Sequence, residues 1–288
     1  MKIEGARAVV TGGASGIGRA IAAQLAAREC RVMIADVDAA AAEQTASSLG
    51  ANVRFTVCNV RNGAEIESLA EVAWRELGGV DLVFANAGAG PGAPLLEATA
   101  EAFDIIYETN VRGSLLTCTN FARRMIDEGR SGHLCVTGSE HSIGMQHTMM
   151  GQYTASKHAV LGWADVLRYE LPEQVGISVL LPGIVATRFY DATRNTELPP
   201  PEPDMLAFGE ALMRKGMPAE EVAGICLRGV EDGAFLIPTH ACSRAAMTQR
   251  CEELGAAFDR YAPAGSGSEK YEVNALIHET LAQMGGGD

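Results

Sequence analysis

The chain reads as an α/β protein, a doubly wound parallel sheet in a single domain, and three observations carry that reading. Short apolar runs alternate with amphipathic stretches over most of the 288 residues. A glycine-rich turn joins the first apolar run to the first amphipathic one, and an acidic residue, Asp36, closes the second apolar run. At this length one large α/β domain fits, while two generous ones do not.

Taken in order, Arg7-Ala8-Val9-Val10 is short, apolar and β-branched, which predicts a strand near 7–11. The turn Thr11-Gly12-Gly13-Ala14-Ser15-Gly16-Ile17-Gly18 and the Ala-rich stretch from Arg19 to Ala27 predict a helix near 17–28. Cys30 to Ala35 forms the second buried run, a strand near 31–35. Further strands are expected near 53–57, 81–85, 133–137, 177–181 and 234–237, with helices near 39–48, 63–76, 101–126, 152–171 and 219–230. Strands and helices alternating in this way make a parallel sheet with right-handed crossovers.

The glycine turn carries chemistry as well as shape. Glycines are needed where backbone must approach a pyrophosphate without a Cβ in the way, and the N–H groups and dipole at a helix start then face the anion. Asp36 stands eighteen residues beyond Gly18, at the strand end that accepts adenosine-ribose hydroxyls in a dinucleotide fold. Its carboxylate would repel a 2′-phosphate. Neither Asp36-Val37-Asp38 nor the loop up to Gly18 offers a basic side chain to neutralise one, so NAD is expected over NADP.

Tyr153-Thr154-Ala155-Ser156-Lys157 puts a phenol and an ammonium on one helix face. An ordinary tyrosine, with a pKa of about 10, needs help to remove a proton from an alcohol. Lowering that pKa by roughly three units takes about 4 kcal/mol, comparable to one charge at about 4 Å in a medium of effective dielectric near 20. Lys157 is positioned by spacing to supply it, making the pair a candidate general base.

With these residues in view, the chain resembles the short-chain dehydrogenase/reductase family over roughly residues 3–240. The matching motifs are Thr11, Gly12, Gly16 and Gly18; Asn86-Ala87-Gly88; Asn110 in Thr109-Asn110-Val111; Ser139; Tyr153 with Lys157; and Pro182-Gly183 with Thr187 beyond. The resemblance implies a Rossmann-like fold and Asn110, Ser139, Tyr153 and Lys157 as the catalytic set. It implies cofactor contacts from Gly12, Ser15, Gly16, Ile17 and Gly18, from Asp36, from Asn59 and Val60, and from Asn86, Ala87 and Gly88. Tyr153, Lys157, Pro182, Gly183, Val185 and Thr187 complete that set. It also implies a homodimer or homotetramer built on the helices near 101–126 and 152–171.

Three positions depart from the family pattern. Asn59-Val60 stands where Asp-Val is frequent, Ala85 replaces the first Asn of Asn-Asn-Ala-Gly, and fourteen residues separate Ser139 from Tyr153 where about thirteen are common. Ser142 therefore competes with Ser139 for the catalytic place. Ser139 is favoured because Leu134-Cys135-Val136-Thr137 puts it just past a strand's carboxyl end, where sites in open α/β sheets gather.

Composition narrows the partners. A formal net charge of −13 argues against nucleic acid and anionic membrane surfaces. Met1-Lys2-Ile3-Glu4-Gly5 has no apolar signal core, and no run approaches a membrane span, so a cytoplasmic location is expected. The seven cysteines lack Cys-x-x-Cys spacing and the six histidines lack ligand spacing, which predicts free thiols and no metal. His141 and His147 fall in the loop before Tyr153, where an exposed loop role is expected over a substrate contact.

Residues 188–218, with Leu198-Pro199-Pro200-Pro201-Glu202-Pro203 inside, are too long and proline-rich for a plain connection and predict a substrate lid on a catalytic domain of residues 1–245. Residues 246–288 predict a C-terminal helical extension, with helices over 246–261 and 271–284 and a frayed end at 285–288. The loop from Gly144 to Gly151 carries Met145, Met149 and Met150, and with Phe189, Tyr190, Met205, Leu206 and Phe208 it predicts a roomy apolar pocket. The expected reaction is NAD-dependent oxidation of a bulky apolar secondary alcohol to the ketone. Residues 216–222 and 229–238 are similar to those of members acting on bulky aryl or alicyclic alcohols, lignin-derived aryl ethers included. A steroid or terpenoid alcohol, a ketone reductase, and a non-catalytic NAD-sensing protein stay open as alternatives.

Overall fold

A computed structural model describes residues 2–90, 94–144, 147–191 and 193–285. Seven strands form one parallel sheet: β1 (Arg7–Thr11), β2 (Arg31–Asp36), β3 (Val53–Val57), β4 (Leu82–Ala85), β5 (Gly132–Thr137), β6 (Val175–Leu181) and β9 (Leu236–Pro238). Their spatial order is β3-β2-β1-β4-β5-β6-β9. Two short strands, β7 (Val185–Ala186) and β8 (Met217–Pro218), pair separately.

The strands bury both faces, and period-two alternation sorts their side chains between two cores. Val10, Val32, Ile34, Leu82 and Phe84 face one side, where α1 (Gly16–Ala26) and α8 (Ala219–Glu231) present Ile21, Leu25, Val222, Cys226 and Val230. Val9, Met33, Ala35 and Val83 face the other, against α3 (Gly63–Leu77), α5 (Ser114–Asp127) and α6 (Gly151–Glu170). Ile21 and Leu25 are fully buried; burial of each stabilises by about 1.5–3 kcal/mol relative to exposure. Helices of the sheet domain start on side chains that take an orphan backbone N–H, among them Asp38 on α2 (Ala39–Leu49), Asn62 on α3, and Thr99 on α4 (Ala100–Tyr107).

The order reverses direction between β1 and β4. Loops leaving the carboxyl ends of these neighbours diverge there and open the crevice that open α/β sheets use for ligands. The loops after β1, β3, β4, β5 and β6 and the end of β2 carry much of the candidate site, while Asn110, Tyr153 and Lys157 stand on helical segments that flank them.

Three differences from the sequence reading have physical causes. The helix expected over 101–126 is interrupted by a π-helical segment, Glu108–Gly113, between α4 and α5. The extra residue in that turn is compensated by side chains: Thr109 Oγ1 donates to the Ile105 carbonyl and Ser114 Oγ to the Asn110 carbonyl. The proline-rich excursion contains its own helix, α7 (Pro203–Met213), started by Pro203 in the first turn, where its missing N–H is harmless. It then returns through β8, which pairs parallel to β7. The last core strand lies at Leu236–Pro238, later than 234–237, because Ala234 N bonds the Gly229 carbonyl and closes α8.

The chain divides into two compact units, Met1–Ser243 and Arg244–Asp288. In the second, α9, which begins at Ser243 and runs to Tyr261, and α10 (Val273–Gly285) flank a 3₁₀ turn, Ser268–Tyr271. Residues 286–288, where fraying was expected, lie outside the described residues.

Candidate active site

Tyr153 sits in the first turn of α6 and is 8% exposed; Lys157, one turn on, is 4% exposed. The apolar face of α6, with Val160, Ala164 and Leu167, packs on the sheet and thereby presses both polar side chains into the crevice. Ser139 begins a 3₁₀ turn just past β5, and beside the Tyr153 phenol its Oγ donates to the Pro182 carbonyl at 3.5 Å and accepts from His141 N at 3.2 Å. Lys157 Nζ lies 5.5 Å from the Tyr153 ring centroid and donates to the Thr137 carbonyl at 2.8 Å.

Asn110 stands on the π segment. Its Nδ2 donates to the Ala89 carbonyl (2.9 Å) and Ser156 Oγ (3.0 Å), and its Oδ1 accepts from Ala89 N at 2.8 Å. The side chain is a splint between the loop after β4 and α6. A Cβ on Gly88 would lie 3.4 Å from Asn110 Oδ1 and 3.9 Å from Lys157 Nζ, so the glycine keeps that corner open.

The fold places the rival serine differently. Ser142 Oγ accepts from Ser139 N (3.2 Å) and donates to the Lys157 carbonyl (2.8 Å), so both its bonds brace the turn, while the Ser139 hydroxyl stands beside the phenol. Two other expectations need correction. His141 is buried, not an exposed loop residue: its Nδ1 pairs with Thr154 Oγ1 at 2.8 Å and its ring stands edge-on to Tyr153. Burial, aided by the charges of His147, His158 and Lys157, pushes its pKa down to about 4. Lys157 does not dominate the tyrosine's electrostatics. Burial pushes Tyr153 up to about 12, with the neighbouring Ser139 hydroxyl pulling down and the Glu140 charge pushing up. Burial also lowers Lys157 to about 8, because the same dry crevice penalises both charged forms. Met145 and Gln146, in the expected pocket loop, lie outside the described residues.

The glycine turn fits a dinucleotide. Gly12 and Gly16 hold φ of +63° and +53°, and a Cβ on Gly18 would fall 2.2 Å from the Gly12 carbonyl oxygen. α1 has no acid in its first turn, and its N-cap, Ser15, makes no side-chain capping bond, so its N–H groups face the crevice. Ile17 turns back onto the core. Asp36 is fixed through both oxygens, accepting from Ala14 N (3.0 Å) and Asp38 N (3.1 Å). Asn86 ties the turn to β5: its Nδ2 donates to the Thr11 and Gly12 carbonyls, and its Oδ1 accepts from Thr137 Oγ1. Ala87 N bonds Thr11 Oγ1.

Asn59 Oδ1 accepts from Arg61 N, so that amide oxygen shapes its own turn, and Val60 is buried beneath it. A polar cavity of about 560 Å³ opens beside them, lined by Asn59, Arg61, Glu108, Arg112 and Glu197. On the other side, Pro182-Gly183 leaves β6, Val185 is buried, and Thr187 N donates to the Val185 carbonyl. The Thr187 methyl lies 3.1 Å from where a Gly16 Cβ would stand, which brings this element against the glycine turn.

Two features were not read from the sequence. His240 Nδ1 accepts from Gly183 N (3.1 Å) and its Nε2 donates to the Ile184 carbonyl (3.0 Å), a neutral imidazole stapling the Pro-Gly element from a later strand end. Arg194 Nη2 donates to Ser15 Oγ at 3.3 Å across 179 residues. No short-range pattern announces either partner.

The sequence model for short chain dehydrogenases matches residues 6–198. The chain belongs to the short-chain dehydrogenase family. Among relatives of this short-chain dehydrogenase, a 1-deoxy-11-beta-hydroxypentalenate dehydrogenase of Streptomyces exfoliatus is 38% identical over 197 residues, 65% of this chain and 70% of the relative. A (+)-cis,cis-nepetalactol synthase of Nepeta racemosa is 30% identical over 243 residues, 82% and 88% of the two chains. Among solved structures, a short-chain dehydrogenase/reductase of Burkholderia phymatum in complex with NAD superposes with a TM-score of 0.83 at 32% identity, over 89% of this chain and 96% of that one.

Among the described residues no helix is long and apolar enough to cross a membrane, and no cluster of three His, Cys, Asp or Glu could hold a metal ion. Cys30, Cys58, Cys118, Cys135 and Cys226 are buried free thiols, and Cys242 and Cys251 are exposed ones.

Proposed function

We propose that this short-chain dehydrogenase oxidises a bulky apolar secondary alcohol to the ketone with NAD. The observation that carries the reading is the buried Tyr153 phenol, beside Ser139 and one helical turn from Lys157, at the carboxyl end of the sheet. Bound NAD supplies the acceptor for the carbinol hydride. Tyr153 takes the hydroxyl proton and Ser139 holds the substrate oxygen. Lys157, charged below a pKa of about 8, favours the phenolate and holds the nicotinamide ribose. Gly183, Val185 and Thr187 orient the carboxamide, with His240 keeping that backbone in place.

NAD is preferred because the fixed Asp36 carboxylate accepts ribose hydroxyls and opposes a 2′-phosphate. The substrate is apolar because Phe189, in the 188–218 lid, lies tilted with its ring centroid 5.4 Å from that of Tyr153, with Leu95 and Met149 exposed near the helix start. Arg188 pairs with Asp191, Arg194 turns to Ser15 and Arg214 pairs with Glu210, so none of the three lid arginines is aimed at Tyr153. The enzyme works as a homodimer or homotetramer. A second reading, a terpenoid or other alicyclic hydroxy compound, is supported by the relatives whose names are those of a hydroxypentalenate dehydrogenase and a nepetalactol synthase.

The test is NADH formation at 340 nm across secondary alcohols from small aliphatic to bulky aryl and alicyclic, with NAD and NADP compared. Tyr153→Phe should lower kcat by about 10²-fold or more while leaving NAD affinity within about two-fold. Unchanged turnover in that variant refutes the assignment of Tyr153.

A further inference from the structure

The excursion between β7 and β8 is tied to the cofactor crevice at two places. Arg194 Nη2 bonds Ser15 Oγ at 3.3 Å, on the turn after β1. Glu197 accepts from Arg61 Nη1 at 2.5 Å, on the turn after β3, where Arg61 also pairs with Glu108. Since the strand order is β3-β2-β1, the stretch from Arg194 to Glu197 crosses the carboxyl end of β2, where Asp36 stands.

Arg194 is aimed by its own segment. Its Nη1 donates to the Asp191 carbonyl (3.1 Å) and the Arg188 carbonyl (3.4 Å), which fixes the plane of the guanidinium and leaves Nε and one Nη2 hydrogen for another acceptor. Its side-chain partner, Ser15, is the N-cap of α1, the helix end suited to an anion. The turn from Thr11 to Gly18 contains no basic residue; Arg19 follows it on α1, and Arg194 is the cation that bonds a side chain of the turn itself. A surface arginine folded on its own loop would account for the two carbonyl bonds; it would not account for the reach to Ser15.

We infer that Arg194 grips the pyrophosphate of the dinucleotide and so ties the excursion to the bound cofactor. The inference rests on the proposed reading of the crevice as a dinucleotide site. The pyrophosphate is the acceptor, and not a 2′-phosphate, because Ala14, next to Ser15, gives its N–H to the Asp36 carboxylate, which repels a phosphate on that ribose. The same segment carries Phe189 to the Tyr153 ring, so a lid held by the pyrophosphate is also set over the reacting carbon.

Affinities of NADH, NADPH and ADP-ribose, measured by calorimetry on the full chain, test this with Arg194→Gln and Arg194→Lys. Arg194→Gln should weaken NADH and ADP-ribose alike, by roughly five- to twenty-fold, as loss of a charged hydrogen bond predicts, with Arg194→Lys in between. Equal affinities in wild type and Arg194→Gln overturn the inference. A loss confined to NADPH also overturns it, since that would put the arginine on the 2′-phosphate. A wild-type chain that binds none of the three removes the dinucleotide reading itself, whereas wild-type binding with an indifferent variant removes only Arg194.

Discussion

Ser139 and Ser142 show how a three-residue ambiguity in sequence separates in space. The one-residue lengthening before Tyr153 leaves both serines plausible in register. The fold gives them different work because the 3₁₀ turn that starts at Ser139 rotates Ser142 onto backbone, where it holds Ser139 N and the Lys157 carbonyl. Ser139→Ala should therefore lower kcat by about 10²-fold with little change in Tm, since it removes a donor to the substrate oxygen. Ser142→Ala should lose about 1–3 kcal/mol of stability by orphaning a buried N–H, with a smaller effect on kcat. Paired kinetics and melting curves decide it, and the reverse pattern would exchange the two roles. Asp36, Tyr153 and Lys157 were legible because their spacing from a strand or along a helix is local. The high pKa of Tyr153 was not, since it follows from burial that only the packed crevice creates.

At the level of elements, the parallel strands and their helices could be read from periodicity because each core strand is buried on both faces and each flanking helix shows one apolar stripe. The π segment could not. One additional residue in a helical turn leaves the apolar pattern of 101–126 nearly intact, and its marks are the bonds of Thr109, Asn110 and Ser114. Nor could the contacts of the excursion, which join Arg194 to Ser15 and Glu197 to Arg61 over very long separations. Two glycines on the helices packed against each other give a sharp contrast. A Cβ on Gly18 in α1 would stand 2.2 Å from a backbone oxygen and 2.6 Å from Asn86 Nδ2, while one on Gly224 in α8 meets nothing nearer than 3.5 Å, the end of a flexible Arg228 side chain. Gly18→Ala should lower Tm and weaken NAD binding at least ten-fold by displacing the turn. Gly224→Ala should raise stability by about 0.5–1 kcal/mol through the unfolded chain's entropy. A Gly18→Ala protein with wild-type Tm and affinity would contradict the packing described.

For the whole molecule, two buried neutral histidines set how acid unfolds it. His133 on β5 is wedged against Gly176 and bonded through Nε2 to Ser178 Oγ, and burial lowers it to about 4. His141, beside Tyr153, is lowered to about 4 as well. In the unfolded chain each protonates near its ordinary value of about 6.5, so between pH 6.5 and 4 the unfolded state binds more protons and acid favours unfolding. Each histidine's contribution is fully present above about pH 6.5 and falls by about 3 kcal/mol by pH 4, a large part of the 5–15 kcal/mol typical of a domain. The Asp81 carboxyl, whose bonds to Arg7 outweigh its burial and hold it below the usual range, gives up its contribution at lower pH than this. The two classes of group thus act in separate windows. Melting curves from pH 7.5 to 4.5 should show Tm falling through the histidine window, and His133→Gln should flatten that fall while lowering Tm at pH 7.5. A slope that is the same in the variant would assign acid sensitivity to the carboxylates instead.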